Sequence, residues 1–589
     1  MSAAAPEDLV GIELRASARR LVAVAIFSGA INLLMLSGSL YMLQVYDRVL
    51  PSRNVATLAG LSAMVLIAYA FQAYFEAVRS RMLSRIGALF DVGLQKRIYL
   101  ALATLPLRGA KPMIAQQPLR DLDQIRAFMS GIGPTAFLDM PWIPLFVIAL
   151  FVFHPAIGLA AMLGAMTIIG LTVLAERRSR VAARLSMDST AQRQVFADST
   201  RQNAEAIRAL GMTGRLTNRW LEANERFLSQ NFVAADVYAN VGAVAKVVRY
   251  ALQSAILGIG AYLVIIEQAS GGIMIASSIM MGRALAPIEI ALSNWKQLVA
   301  ARQGLARLRE ILTTVSAPAA PAVDLPRPRQ GLSVENITVR IPGSDRNVLT
   351  NVSFALTAGM GLALLGPSAA GKSSLARALI GIWPASEGVV RLDGAALDNW
   401  APDELGRHIG YLPQDVALFD GTVAENIARF DGSATSDAIL GAARLSGAHE
   451  IILSLPDGYA SRIGERGSCL SAGQRQRIGL ARALYGDPFL VVLDEPNANL
   501  DHDGEAALIA AILALRKNRR IVVMVSHRPE ALAALDMAAV LRHGRIAAFG
   551  PRDELFARVA RTVGANAQNN FKPSRAQPRD SRMSTGAPA

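Results

Sequence analysis

Cysteine is almost absent from this chain of 589 residues, in which Cys469 is the only one. One cysteine excludes an intrachain disulfide and any metal site that needs several cysteines. Acidic residues are also in short supply, since 46 Asp and Glu stand against 60 Lys and Arg, a formal charge of +14. A nucleic-acid partner would explain this charge, and so would basic residues that flank membrane segments on the cytoplasmic side. The second explanation is favoured and no nucleic-acid partner is expected, because the basic residues flank apolar stretches without interleaved aromatic side chains.

Residues 1–8 lack the positively charged segment that opens a signal peptide, and no cleavage site closely follows the first apolar run. We therefore interpret this run as a retained membrane helix rather than a signal peptide. The second half of the chain lacks long apolar runs, although 52% of all residues are hydrophobic. A helix that crosses the apolar core of a bilayer needs about 20 apolar residues. Arg15, Arg19 and Arg20 precede the first run and predict a cytoplasmic N-terminus. Six membrane spans are predicted, near residues 21–43, 56–74, 142–153, 156–174, 247–266 and 272–290.

These changes in composition divide the chain into five predicted segments. A Pro- and Ala-rich stretch follows the last span and is typical of a linker. Beyond it, strand-like apolar runs alternate with helical patterns, as in α/β domains. The end of the chain is polar, basic and rich in proline, which predicts disorder. The segments are a cytoplasmic N-terminal segment (1–20), an all-α six-helix transmembrane domain (21–310), a linker (311–330), an α/β domain (331–560) and a disordered basic tail (561–589).

A phosphate-binding loop is predicted between Gly366 and Ser374, where the sequence fits the pattern G-x-x-x-x-G-K-[ST]. An apolar strand-like run precedes it and a helical pattern follows, whereas a chance glycine-rich turn would need neither. Backbone N–H groups of such a loop surround the phosphates of a nucleotide. Lys372 is expected to reach the outer phosphates and Ser373 to ligate Mg²⁺. The predicted nucleotide-binding residues of the loop are Gly366, Pro367, Ser368, Ala369, Ala370, Gly371, Lys372, Ser373 and Ser374.

Further polar residues follow this loop in a fixed order, each beside an apolar run or a helix start. Gln414 ends one strand and is expected to reach Mg²⁺ and the attacking water, although alone it could be an ordinary loop residue. Asp494 and Glu495 end another strand, where Asp494 would support Mg²⁺ and Glu495 would polarise the hydrolytic water. Ser471 starts a helix and could bind a γ-phosphate or serve only as an N-cap. His527 ends a third strand at the phosphate end and would be catalytic, or a surface histidine.

In this order the motifs resemble the ABC ATPase family over residues 331–560. The resemblance implies that ATP is enclosed between the phosphate loop of one subunit and the signature helix of another. Ser471, Gly473 and Gln474 would then contact the nucleotide held by Lys372 of a partner chain, and Asp501 would lie close by. One chain has one such domain, so the resemblance implies a homodimer, or a heterodimer with a similar chain, that binds two ATP molecules.

Two positions depart from the family pattern. Ala472 stands in the signature where glycine is usual, and a helix tolerates alanine well. Ile341 stands where the family usually stacks an aromatic side chain on adenine. It would give adenine apolar contact but little stacking, which predicts a modest nucleotide affinity.

The order of membrane domain and ATPase domain in one chain is typical of exporters. Segments 41–52, 139–145, 203–212 and 277–287 resemble the inner-membrane permease/ATPase of bacterial type I secretion systems, in the subgroup that exports metalloproteases and lipases. That resemblance implies ATP-driven export of unfolded polypeptides with a C-terminal signal. It implies a location in the bacterial inner membrane with the ATPase domain in the cytoplasm. The expected partners are membrane lipid, a periplasmic membrane fusion protein, a TolC-type outer-membrane channel and the secreted polypeptide.

Two other functions stay open at this point. An exporter of lipids or small amphipathic molecules would share the ATPase chemistry, and a soluble ATPase acting on nucleic acid is opposed by the six apolar spans. Arg283, inside the sixth span, could line the polypeptide path or make a helix contact. It could equally have a structural role through snorkelling or an ion pair.

Overall fold

The computed structural model describes residues 8–109, 117–314, 325–526 and 528–557. The chain divides into two compact units, Met1–Ala317 and Pro318–Ala589. His527 and the predicted basic tail 561–589 lie outside the described residues. The predicted linker begins at residue 311, but helical structure continues to Thr314.

The first unit is helical throughout its described residues. Its longest helices have 36 to 53 residues, and polar side chains cap the N-termini of several helices of this unit. Asn54 accepts a hydrogen bond from the N–H of Thr57, and Ser270 accepts one from the N–H of Ile273. The helices are α1 (Leu9–Gln44), α2 (Val55–Thr104), α3 (Gln117–Ser130), α4 (Gly133–Asp139), α5 (Ile143–Phe153), α6 (Pro155–Gln202), α7 (Ala204–Ala209), α8 (Thr213–Ile265), α9 (Gly271–Ser293) and α10 (Trp295–Thr314), with a π-helix at Val45–Val49 and short turns at Leu50–Ser52, Pro106–Arg108 and Met140–Trp142.

Six of these helical stretches are long and apolar enough to cross a membrane, among the residues that the structure describes. The six-span prediction is therefore confirmed. The third span differs from its predicted bounds, because it begins at Gly133 rather than at Trp142. Asp139 and Pro141 interrupt the apolar run in the sequence, while the helix continues through them by a single 3-10 turn. The stretches are Val10–Ser52, Val55–Thr104, Gly133–Phe153, Pro155–Leu174, Thr213–Ile265 and Gly271–Ser293.

A polar network ties three of the membrane helices together. Arg79 of α2 donates to both carboxylate oxygens of Asp139 of α4, each at 3.0 Å, and to the hydroxyl of Ser28. The side-chain amide of Asn32 of α1 donates to the same carboxylate at 3.0 Å. Asp139 is 8% exposed and Asn32 is 3% exposed, so the charges are compensated inside the packed unit.

A second polar contact joins the outer ends of the first and last spans. Asp47 lies in the π-helix that ends the first span. Its carboxylate accepts the backbone N–H of Gly272 at 2.8 Å and the hydroxyl of Ser270 at 2.5 Å. An anionic side chain thereby caps the N-terminus of α9.

The second unit is an α/β domain with two sheets. A four-stranded sheet has the order β2-β1-β4-β5 with antiparallel pairs, and a six-stranded sheet has the order β10-β9-β3-β8-β7-β6. Strands β6, β7, β8, β3 and β9 of the larger sheet run parallel. The elements are β1 (Gly331–Arg340), β2 (Asn347–Thr357), β3 (Gly361–Leu365), α11 (Lys372–Leu379), β4 (Glu387–Leu392), β5 (Ala395–Ala396), α12 (Pro402–His408), β6 (Ile409–Leu412), α13 (Val423–Ile427), α14 (Ser436–Leu445), α15 (His449–Leu453), α16 (Ala472–Leu484), β7 (Leu490–Asp494), α17 (His502–Lys517), β8 (Ile521–Val525), α18 (Pro529–Leu532), β9 (Met537–Arg542) and β10 (Arg545–Pro551).

The larger sheet is covered on both faces, as its continuous apolar strands require. On β7, Leu490 and Val492 belong to the core shared with the smaller sheet, while Val491 and Leu493 belong to the core on the other face. The parallel strands β3, β6, β7 and β8 all end at one edge, which is where open α/β sheets carry their ligand sites.

Candidate nucleotide-binding site

The loop after β3 is shaped by glycines at which a side chain would be strained. Gly366 has φ +146°, and a Cβ atom there would lie 2.4 Å from the carbonyl oxygen of Leu541. Gly371, just before α11, has φ +102° and faces the side chain of Leu349. Ala369 also has positive φ, at 63°. The backbone is thus held in a tight curve whose N–H groups can meet an anion.

Lys372 lies folded against the loop. Its ammonium group donates to the carbonyl oxygens of Gly366 at 2.8 Å and Pro367 at 3.1 Å. The residue is only 7% exposed, so these carbonyls satisfy a charge that is held close to the phosphate position. A nucleotide phosphate would compete for the same ammonium protons.

Four predicted side chains meet at the edge of the sheet. The hydroxyl of Ser373 donates to Asp494 Oδ1 at 3.2 Å, and the amide of Gln414 donates to Glu495 Oε2 at 3.1 Å. Burial raises the pKa of the Asp494 carboxyl, and the hydrogen bond from Ser373 opposes that rise. Asp494 Oδ2 is buried without a hydrogen-bond partner among the described residues, so the carboxylate can accept a further ligand.

Glu495 is held in a strained conformation. It is half-buried with φ +51°, a left-handed value that a glutamate rarely adopts. Its backbone N–H donates to the carbonyl of Val525 on β8 at 2.9 Å, which fixes the turn at the end of β7. This left-handed conformation turns the backbone away from the sheet directly after Asp494.

The signature helix α16 begins with a capping box. The hydroxyl of Ser471 accepts the N–H of Gln474 at 3.2 Å, and Gln474 accepts the N–H of Ser471 at 2.9 Å. Ser471 therefore caps the helix, which is one of its two predicted roles. Because its exposed hydroxyl only accepts a hydrogen bond in the cap, the hydroxyl hydrogen can still donate to another group. Ala472 is exposed at the first helical position and disturbs no neighbour. A Cβ atom at Gly473 would lie 3.0 Å from the carbonyl oxygen of Asn499.

Asp501 and Ile341 both make contacts that stabilise the local structure. Asp501 caps α17 by accepting the N–H of Gly504 at 2.9 Å, and it pairs with Arg477 of the signature helix. Ile341 directly follows β1, is half-buried, and donates its N–H to the carbonyl of Arg346 at 3.1 Å. Their nucleotide-binding roles stay predictions.

Three further residues support the site and were not singled out from the sequence. The buried amide of Gln476 donates to the carbonyl of Pro496 at 2.9 Å and so ties the signature helix to the turn after Glu495. Arg377 of α11 lies near Tyr411 of β6, and its guanidinium is 5.0 Å from the centre of the Trp383 ring. No motif marks these residues, because their partners are far away in the sequence.

Comparison with known proteins gives the same division of the chain. Residues 21–285 match the family model described as ABC transporter transmembrane region, and residues 349–498 match the one described as ABC transporter. The type I secretion system ATP-binding protein PrsD of Rhizobium meliloti is 48% identical over 94% of each chain. The chain belongs to the ABC transporters of type I secretion systems.

More distant relatives of this ABC transporter agree. The cyclolysin secretion/processing ATP-binding protein CyaB of Bordetella pertussis is 27% identical over 91% of this chain and 75% of its own length. The leukotoxin translocation ATP-binding protein LktB of Mannheimia haemolytica is 28% identical over 88% of this chain and 73% of its own. A bacterial Atm1-family ABC exporter with ATP bound shares the fold, with a TM-score of 0.78 at 21% identity, over 95% of this chain and 99% of its own.

Several predictions are confirmed by these findings. The fold is a six-helix transmembrane domain followed by an α/β ABC ATPase domain. The transporter binds ATP and couples its hydrolysis to transport. It is a multi-pass protein exporter of the bacterial inner membrane.

Proposed function

We propose that this transporter exports unfolded polypeptides that carry an uncleaved C-terminal signal. The observation that carries the proposal is the 48% identity to a type I secretion protein over nearly the whole of both chains. Export of unfolded cargo would require a path through the membrane unit wide enough for an extended chain. Membrane lipid surrounds that unit.

The proposed assembly has two copies of this chain. In a homodimer, Lys372 and the loop from Gly366 to Ser374 of one copy would face Ser471, Gly473 and Gln474 of the other. The exposed position of Ser471 and its free hydroxyl hydrogen support this arrangement. A periplasmic membrane fusion protein and a TolC-type outer-membrane channel would complete the route to the medium.

The residues present fit a magnesium ion. Asp494 offers an oxygen without a hydrogen-bond partner in the described chain, and the hydroxyl of Ser373 lies 3.2 Å from its other oxygen. Oxygen ligands of this kind are what Mg²⁺ prefers. Ser373, Gln414 and Asp494 would hold the ion, which would neutralise charge on the phosphates when bound.

Hydrolysis would then depend on Glu495. Its carboxylate accepts a hydrogen bond from Gln414, so the two side chains lie close enough together to contact the same water molecule. Glu495 would polarise this water for attack on the outer phosphate, and Lys372 would stabilise the phosphate charge. His527 is proposed to take part in hydrolysis.

The test compares the proteins in the growth medium of cells with the native transporter and cells with Glu495→Gln. The amide cannot accept a proton, so hydrolysis is expected to fall by about 10²–10⁴-fold. At least one secreted protein is expected to disappear from the medium and to remain in the cells. Exposed Glu222 on α8 provides the matched control, since Glu222→Gln makes the same chemical change outside the ATPase domain.

A second arm addresses the cargo class. The purified transporter is expected to hydrolyse ATP faster when the C-terminal segment of the missing protein is added, and not when lipids are added. Stimulation by lipid alone, with an unchanged set of secreted proteins, would contradict the proposal and favour an exporter of lipids or amphipathic molecules.

A further inference from the structure

Arg283 is a charged residue at the middle of a membrane helix. Helix α9 runs from Gly271 to Ser293, and Arg283 lies twelve residues from its outer end and ten from its inner end. At 1.5 Å per residue these distances are about 18 Å and about 15 Å. The stem of an arginine cannot carry its charge over that distance to either surface of the bilayer, so snorkelling does not solve its solvation.

The charge also has no counterion within the described part of the chain. Arg79 pairs with Asp139 at 3.0 Å and Arg249 pairs with Glu289 at 2.8 Å. Arg283, by contrast, is exposed and has no ion-pair or hydrogen-bond partner among the described residues. An unpaired charge at this depth must face water or a partner molecule.

The face that carries Arg283 is the open side of α9. Most other positions of this helix are buried against neighbouring helices, as at Ser278, whose hydroxyl donates to the carbonyl of Gln253. A Cβ atom added at Gly282 would meet no atom within 4 Å, so there is free space beside the arginine. The open face consists of half-buried or exposed residues at helical spacing: Ile275, Ile279, Gly282, Arg283, Ala286, Ile290 and Ser293.

Acidic residues are scarce in the most apolar parts of the spans, which limits the counterions that a second copy of the chain could offer to Arg283. Three acidic residues in or beside the apolar parts of the spans are engaged by groups of the same chain. Asp139 is paired with Arg79 and Glu289 with Arg249. Asp47 caps the outer end of α9.

We propose that Arg283 is a binding residue for carboxylates of the passing polypeptide, at the midpoint of a water-filled export path. The proposal rests on the proposed function, because it takes the cargo to be a polypeptide. Acidic side chains or a C-terminal carboxylate of the cargo would find here an unpaired cation at the middle of α9. Between cargo molecules, water would solvate the guanidinium.

The first experiment measures whether this face is wet and positively charged. Cys469→Ser removes the native thiol, and Ala286→Cys places a thiol one turn from Arg283 on the same face. The full-length protein in membrane vesicles is then treated with an anionic sulfonatoethyl or a cationic trimethylammonioethyl methanethiosulfonate. Both reagents are expected to react, and Arg283→Gln is expected to lower the anionic-to-cationic rate ratio at least about threefold. No reaction, or an unchanged ratio, would overturn the proposal.

The second experiment measures export. Arg283→Lys keeps the charge and is expected to retain most secretion, whereas Arg283→Glu should lower it about tenfold or more by repelling acidic cargo. Arg302→Glu, an exposed position on α10, is the control for net charge. Normal secretion by Arg283→Glu would refute the carboxylate site, while loss of secretion by Glu495→Gln would still uphold the proposed function. If the Arg283→Glu protein fails to accumulate, the proposal is judged by the anionic-to-cationic rate ratio measured with Arg283→Gln.

Discussion

Steric contacts restrict the conformation of the phosphate loop, and Gly366 is the position in it with the least room for a side chain. Its φ of +146° and the 2.4 Å distance from an added Cβ to the carbonyl oxygen of Leu541 leave no room for a side chain. We expect Gly366→Ala to weaken ATP binding at least about tenfold and to destabilise the domain by about 1–3 kcal/mol. Equilibrium ATP binding and thermal unfolding measure the two effects.

Gly394 is the matched control for that substitution. It also has positive φ, at 79°, but an added Cβ there would meet no atom within 4 Å. Gly394→Ala should therefore cost only about 1 kcal/mol of backbone strain and leave ATP affinity unchanged. Equal loss of ATP affinity in both variants would refute the steric argument.

Ile341 sets how firmly adenine is held. An isoleucine offers apolar contact, whereas an aromatic ring adds about 0.5–1.5 kcal/mol by stacking. Ile341→Tyr is expected to raise ATP affinity by about two- to tenfold, and Ile341→Leu to leave it nearly unchanged. Titration with a fluorescent ATP analogue distinguishes these outcomes, and unchanged affinity in Ile341→Tyr would show that adenine binds elsewhere.

Among the helices, two Asp–Arg pairs of different burial allow a controlled comparison. Asp139 and Arg79 join α4 to α2 with side chains 11% and 12% exposed. Asp91 and Arg126 join α2 to α3, but the arginine is 48% exposed. Asp139→Ala should cost about 3–5 kcal/mol because it leaves a buried cation unpaired. Asp91→Ala should cost about 0–1 kcal/mol.

Thermal unfolding of the detergent-solubilised protein measures both variants. The expected result is a much larger drop in Tm for Asp139→Ala. Similar Tm values would mean that water reaches Arg79 and that the network does not depend on its carboxylate.

The elements differ in how well the sequence predicts them. Apolar runs predicted six spans, because a helix in lipid must be apolar over its whole length. The same pattern missed the start of the third span, since Asp139 interrupts the apolar run while its charge is compensated by Arg79 from a distant helix. Neither the π-helix at Val45–Val49 nor the partner of Asp47 could be predicted, because each depends on contacts between remote residues.

The phosphate loop and the strand ends were predictable for a different reason. Their residues form local motifs, and parallel strands bring the motifs together at one edge. The ion pair of Arg477 with Asp501 and the hydrogen bond of Gln476 to Pro496 join segments that only the fold brings together. Their roles therefore became visible only in the structure.

For the whole molecule, the proposed dimer can be tested by mixing two inactive chains. Each ATP would be bound by Lys372 of one copy and Ser471 of the other. A dimer of one Lys372→Ala chain and one Ser471→Ala chain would then have one intact site. Random pairing predicts about a quarter of native ATPase activity after co-expression, if the sites act independently.

Each variant expressed alone serves as the control and should be inactive. As a further control, a chain that carries both substitutions is co-expressed with the native chain. The mixed dimers should then contain no intact site, and only dimers of two native chains would hydrolyse ATP. Absence of activity in the mixture of single variants would mean that each copy completes its own site.

The scarcity of cysteine has a practical consequence for spectroscopy. Cys469 is exposed and lies two residues before Ser471, beside the proposed boundary between two ATPase domains. A thiol-reactive dye therefore labels the unaltered chain at one position. In a homodimer two such dyes would form a symmetric pair, and energy transfer between them would follow the opening and closing of the domains in real time.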